Sequence, residues 1–325
     1  MRRRIRRNGG REAGSLAVLL AAVLLTVVVS PAATAQAPPP VPLMRIAGGN
    51  RIESAIRLSQ AAFSRPPVSH VLLTRADAFP DALAAGPLAG QLGAPILLTH
   101  GTSLPLVVTN EIRRLGPQTI ILLGGEQAIS VEVAEAVAGL APEVERLAGS
   151  TRYDTARRIA DRTDGNDAVI ASGLDFPDAL SAGSLGPSDV LLTQPTLLSF
   201  DPAGLGQLTI VGGSAAIAGG IVAAPRLAGA TRYETNLVVL REALVRRGGQ
   251  LQLFVTTGDN YPDALATSAL TQPILLVDPD WQALPAEVAS FLTTNRARFT
   301  AVFVMGGQEA VPPSVEQAVS AALSG

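Results

Sequence analysis

The stretch RLAGSTRYDT, residues 146–155, recurs as RIAGGNRIES from Arg45 and as RLAGATRYET from Arg226. Each copy sets two arginines six residues apart around a small-Gly step. Asn50, Thr151 or Thr231 stands where a helix N-cap belongs, with Glu53, Asp154 or Glu234 three residues on. That spacing is a capping box, in which side chains satisfy the free N–H groups of a helix start. Capping does not account for Arg51, Arg152 and Arg232, which fall at the first helical position, where a cation opposes the helix dipole. Two uses fit them. Guanidinium forks beside helix N-terminal amides suit carboxylate, phosphate or pyruvyl groups, and the same arginines suit ion pairs with acids of a neighbouring unit.

Working outward, three more landmarks follow each opening in the same order. An aromatic-Pro-Asp-Ala-Leu block begins at Phe79, Phe176 and Tyr261. A branched triplet follows as ILL from Ile96, VLL from Val190 and ILL from Ile274. An apolar run ending in Gly-Gly then closes at Gly125, Gly213 and Gly307. The openings lie 101 and 80 residues apart, so the repeating unit is domain-sized. Boundaries follow at 45–145, 146–225 and 226–325.

Within a unit, HVLLT, PILLT and TIILLGG are short and apolar throughout, as strands buried on both faces of a parallel sheet are. They alternate with helix-like stretches such as PLVVTNEIRRL and SVEVAEAVA. The expected fold class is α/β: three tandem modules with short, mainly parallel sheets. The second unit is shortened, having lost most of the helix between its triplet and its Gly-Gly strand. In the aromatic-Pro-Asp-Ala-Leu blocks, proline and Asp81, Asp178 and Asp263 suit a first helical turn.

The chain has 325 residues, 47% of them hydrophobic, and neither cysteine nor lysine. Disulfides, thiolate metal sites and a Walker A lysine are thereby excluded. The start combines a basic MRRRIRR, an apolar run of fourteen residues from Leu16 to Val29, and the small-x-small Ala33-Thr34-Ala35. We read 1–35 as a signal peptide and 36–44 as a Pro-rich linker, which implies export and no membrane attachment after cleavage. The remaining chain carries 19 arginines against 26 acidic residues, a net charge of −7. So acidic a protein is not built for nucleic acid, and binding to a polyanion would fall to local arginines.

Signals for catalysis are weak. Two carboxylates sit near one another at Asp77/Asp81, Asp175/Asp178 and Asp259/Asp263, but a glycosidase pair also needs one raised pKa and a substrate cleft. The only histidines, His70 and His100, both lie in the first unit, so neither a metal triad nor a repeated Ser-His-Asp set is available. We expect no catalytic residue, no metal and no cofactor.

Taken together, the R-x-A-G-x-x-R opening, F-P-D-A-L, I-L-L and the strand ending in G-G resemble the cell wall binding repeat 2 family of Gram-positive surface proteins, over about 280 residues. The resemblance implies three α/β modules around a pseudo-threefold axis, with the I-L-L segments near the contacts between modules. It also implies a non-catalytic anchor for an anionic secondary cell wall polysaccharide, teichoic-acid-like or other. Arg45, Arg51, Arg146, Arg152, Arg226 and Arg232, with Tyr153 and Tyr233 beside them, become the candidate ligand-binding residues. Family members usually carry a separate effector domain, for which this sequence leaves no length, so an effector would be a separate protein. A cell wall hydrolase of amidase type, a modifier of one, and a passive surface-layer protein are the alternatives.

Overall fold

The computed structural model describes residues 40–324. The signal segment and the first residues of the linker lie outside the described residues. In chain order the elements are β1 (Leu43–Ile46), α1 (Arg51–Ala62), β2 (His70–Arg75), α2 (Ala85–Leu92), β3 (Ile96–Thr99), α3 (Leu106–Leu115), β4 (Thr119–Leu123) and α4 (Val131–Ala138). Next come β5 (Glu143–Leu147), α5 (Arg152–Ala160), β6 (Ala168–Ser172), α6 (Pro177–Ala182), β7 (Asp189–Thr193), β8 (Leu208–Val211) and β9 (Arg226–Leu227). The last are α7 (Arg232–Arg247), β10 (Leu251–Thr257), α8 (Pro262–Ser268), β11 (Ile274–Val277), α9 (Ala286–Asn295), β12 (Phe299–Met305) and α10 (Pro313–Ser324).

The strands form three four-stranded parallel sheets, in the orders β3-β2-β4-β5, β7-β6-β8-β9 and β11-β10-β12-β1. Central strands such as β4 and β6 are buried along their whole length, which explains their unbroken apolar sequences. The strand that opens each sequence repeat adds to the sheet of the preceding unit. β5 and β9 complete the first and second sheets in this way, and β1 completes the third, with Leu43 opposite Val302 and Ile46 opposite Met305. Leu43 and Met44, at the end of the stretch read as linker, are therefore strand residues.

This sharing closes the modules into a ring. The triplet strands β3, β7 and β11 are the outer edges of their sheets, and each packs on a helix of the preceding module: β3 on α8, β7 on α2 and β11 on α6. The triplets thus lie at the module contacts, as the resemblance implies. At the pseudo-threefold axis Phe79, Phe176 and Tyr261 meet edge to face, with centroids 5.3–5.9 Å apart. That geometry brings the positive edge of each ring to the negative face of the next.

The second module is the smallest. No helix lies between β7 and β8, and none follows β8, where the other modules have α4 and α10. Beside the shared core, its own cluster holds only Ile170, Ile210 and Ile217 as buried residues. One junction compensates with polar contacts. Asn236 of α7 is fully buried; its Nδ2 donates to Ser181 Oγ (3.0 Å) and to the Ile274 carbonyl (2.8 Å), and its Oδ1 accepts from the Leu276 amide (2.9 Å). The side chain acts as the missing neighbour strand along the free edge of β11. The matching positions of the other modules hold Ala55 and Ala156.

Candidate functional site

At the C-terminal ends of the strands, each opening loop turns directly into a helix. Asn50, Thr151 and Thr231 cap α1, α5 and α7 by accepting from the amides of Glu53, Asp154 and Glu234. Asp154 answers at the Thr151 amide and completes a capping box. Glu53 and Glu234, longer by one methylene, reach one residue further back, to the amides of Gly49 and Ala230. The acids in these loops are thus occupied by the helix starts.

The first arginine of each opening ties its strand to the neighbouring one. Arg45 donates to the carbonyls of Gly306 (2.7 Å), Gly307 (3.0 Å) and Val311 (2.7 Å), and pairs with Glu316 at 2.6 Å. Arg146 donates to the Gly124 carbonyl (2.8 Å), and Arg226 to those of Gly212 (2.6 Å) and Ile217 (2.9 Å). These carbonyls belong to turns that would otherwise leave acceptors unsatisfied at a half-buried strand end.

The second arginine reaches the other way, into its own module. Arg51, Arg152 and Arg232 donate to the carbonyls of Ala76 (3.0 Å), Gly173 (2.6 Å) and Gly258 (2.7 Å), at the ends of β2, β6 and β10. Arg51 is exposed, and Arg152 and Arg232 are half-buried. Arg232 also lies over the Phe176 ring at 5.6 Å and 3.5 Å from Asp175 of the preceding module. The ion pairs with a neighbouring unit therefore occur at Arg45 and Arg232 and are loose at the latter. Tyr153 and Tyr233 pack on Gly173 and Gly258, where a Cβ would lie 2.5 Å from the ring. In the first module the pair is Ile52 and Ala76, the smaller side chain admitting the larger backbone residue.

The Pro-Asp-Ala-Leu carboxylates do not cap their helices; α6 and α8 begin at the proline with no side-chain cap. Each faces a glycine that ends a Gly-Gly strand. Gly306, at φ +93°, has Asp263 Oδ2 2.3 Å from where a Cβ would stand, and Gly124 and Gly212 match it. Both the left-handed backbone and the close approach demand glycine there. Burial pushes Asp263 up to about 6, against the pull of Arg51 and a hydrogen bond from Ser54. Burial and nearby Asp175 likewise raise Asp178. A cleft of about 620 Å³ opens beside Asp263 between the third and first modules, lined among others by Gly49, Arg51, Asp259 and Gly307.

A second pair of grooves flanks the outer side of the opening helices. In the third module it measures about 650 Å³ and contains Arg232, Tyr233, Asp278, Trp281 and Glu287. In the first module it measures about 380 Å³, with Ile52, His100 and Val107 in the places of Tyr233, Asp278 and Glu287. The sequence reading named Tyr233 but not Trp281, which lies in an insertion after the triplet that the first unit lacks. Among the described residues no group of three or more His, Asp or Glu could hold a metal ion, and no helix is long and apolar enough to cross a membrane.

The chain resembles known proteins along most of its length. It is 27% identical over 240 residues to N-acetylmuramoyl-L-alanine amidase LytC of Bacillus subtilis (strain 168), covering 70% of this chain and 47% of that protein. It is 27% identical over 292 residues to the amidase enhancer of the same organism, covering 85% of this chain and 40% of that protein. The chain thus spans less than half the length of either relative. Among solved structures, Cwp6 from Clostridium difficile superimposes with a TM-score of 0.75 at 23% identity, over 88% of this chain and 48% of that one. Cwp8 gives 0.75 at 23%, over 86% and 51%. These two share the fold. The family description "Cell wall binding domain 2 (CWB2)" matches residues 45–134, 146–222 and 226–316, one segment per module. With three copies covering most of its sequence, the chain belongs to the cell wall binding domain 2 family, and cell wall binding is the function that membership gives it.

Proposed function

We propose that the chain is a non-catalytic anchor that holds an anionic secondary polymer of the cell wall along its opening loops. The observation that carries this reading is the threefold recurrence of one arrangement: a capped helix start at the end of a strand, with a second arginine held across its base. Arg51, Arg152 and Arg232, with Tyr153 and Tyr233, are the proposed contacts. Arg45, Arg146 and Arg226 serve the site by fixing the loop to the neighbouring strand. Guanidinium and helix N-terminal amides together favour an acidic group. Weak contacts repeated along one polymer add through effective concentration.

The protein is exported and held at the cell surface in this reading, and a separate effector protein supplies any wall-modifying activity. The test is sedimentation of the protein with purified walls, before and after removal of their acidic polymers, at low and moderate salt. Co-sedimentation that needs the acidic polymers and weakens as salt screens the charges supports the proposal. Equal binding to stripped walls at both salt concentrations rejects it.

A further inference from the structure

We infer that the groove of the third module is a separate subsite for an uncharged pyranose ring, with Tyr233 and Trp281 as its aromatic wall. The inference rests on the wall-binding reading but assigns this groove a chemistry opposite to that of the arginines. Tyr233 and Trp281 lie 5.1 Å apart with planes tilted by 58°, forming an angled aromatic corner in a groove of about 650 Å³. Tyr233 is fixed from below, its ring against Gly258 and its hydroxyl donating to Asp259 Oδ1 at 2.7 Å. The wall is thus already ordered before a ligand arrives.

The charge around that face excludes an anion. Glu234, Asp278 and Glu287 line the groove and outnumber its single guanidinium, that of Arg232. A phosphate or carboxylate would meet like charge. A sugar ring meets complementary chemistry: its C–H face covers the aromatic rings, and its hydroxyls donate to the exposed Glu287 at the rim. Among the described residues the indole N–H of Trp281 has no hydrogen-bond partner, and it is available to a hydroxyl or amide oxygen of the ligand. The corresponding groove of the first module, with Ile52, His100 and Val107 in those places, lacks the tyrosine–tryptophan pair, and its carboxylate, Asp77, is paired with Arg75. The third module then carries this sugar subsite beside the repeated arginine sites.

The chain has one tryptophan, so its fluorescence reports this groove directly. The experiment titrates the full protein with uncharged tetrasaccharides of N-acetylglucosamine, glucose, galactose and mannose, with polygalacturonate and choline as acidic and cationic controls. A saturable change in Trp281 emission with at least one uncharged sugar is expected. Calorimetry with that sugar should show about a tenfold loss of affinity in Trp281→Ala and in Tyr233→Ala, and near-parental affinity in Trp281→Phe. Circular dichroism and thermal melting establish that each variant is folded, and Trp281→Phe keeps the test valid should the alanine variants unfold. No response to any of the four sugars, a response to choline or polygalacturonate alone, or full affinity in folded Trp281→Ala overturns the inference. Salt-sensitive wall sedimentation that persists in Trp281→Ala leaves the wall-binding reading standing, so the two fail separately.

Discussion

Replacing Asn236 by alanine, the residue that fills the same position in the other two modules, should weaken the junction between the second and third modules. Asn236 is fully buried and holds two backbone groups of the β11 edge, the Ile274 carbonyl and the Leu276 amide, together with Ser181 Oγ. Alanine removes the side chain, and with it the partners of both backbone groups. Each stranded buried group costs about 1–3 kcal/mol, which puts the loss for the two at about 2–6 kcal/mol. Over the residues from 40 to 324 the unfolding entropy is about 0.6 kcal/mol/K, so Tm should fall by roughly 3–10 °C. Differential scanning calorimetry and urea unfolding measure this. Ser181→Ala alone removes one hydroxyl partner and should cost about 1 kcal/mol, and in the double variant the two losses should sum to less than their total, because they share a bond. A drop below about 1 kcal/mol for Asn236→Ala would refute the claim that this side chain substitutes for a neighbouring strand.

Three further outcomes are expected. Asp263 is held up to about 6 by burial, above its usual range, so its share of stability is full below about pH 4 and is lost as pH rises through 6. Asp263→Asn should remove on the order of 3 kcal/mol of that decline, read as urea midpoints from pH 4 to 7; Asp189, also raised to about 6 by burial, keeps a residual slope, and an unchanged slope would contradict the assignment. Phe79→Ala takes one ring from the axial trio and should cost about 2–4 kcal/mol in the same assay, whereas a loss under about 0.5 kcal/mol would mean the rings meet without supporting the ring of modules. Arg45→Ala removes the pin between β1 and the Gly306 turn together with its ion pair to Glu316; hydrogen exchange should quicken at β1 and the adjoining β12 edge before the other two sheets respond.

How much of this was legible depends on whether the signal was local. The strands of the first module and the caps at Asn50, Thr151 and Thr231 were readable because apolar period and cap spacing are written within a few residues. The triplets were placed between modules only by family resemblance. The transfer of β1 to the third sheet was not readable, since Leu43 meets Val302 across nearly the whole chain and nothing near Leu43 encodes the partner. The carbonyl partners of the arginines were invisible for a different reason: a backbone acceptor carries no residue identity. The sequence offered acids as partners, and the structure supplies Glu316 and Asp175 beside six sets of turn carbonyls. Phe79, Phe176 and Tyr261 stood in plain view as the first residue of a repeated block, yet a turn-forming reading of Pro-Asp left their convergence unread. Asn236 carried a usable signal in its contrast with Ala55 and Ala156. The loss of a helix after β8 went unread because AAIAGGIVAAP keeps an apolar composition while its glycines and proline break the helix.

The most direct test of the central claim is the binding of intact cell walls by the parent protein and by folded variants with Arg51, Arg152 and Arg232 changed to alanine singly and together. If the polymer runs along all three opening loops, each single change lowers affinity, the triple variant no longer sediments with the walls, and the salt dependence of the parent vanishes with it. A folded triple variant that binds walls as the parent does, with the same salt dependence, would contradict the account and leave those arginines as pins of the fold alone.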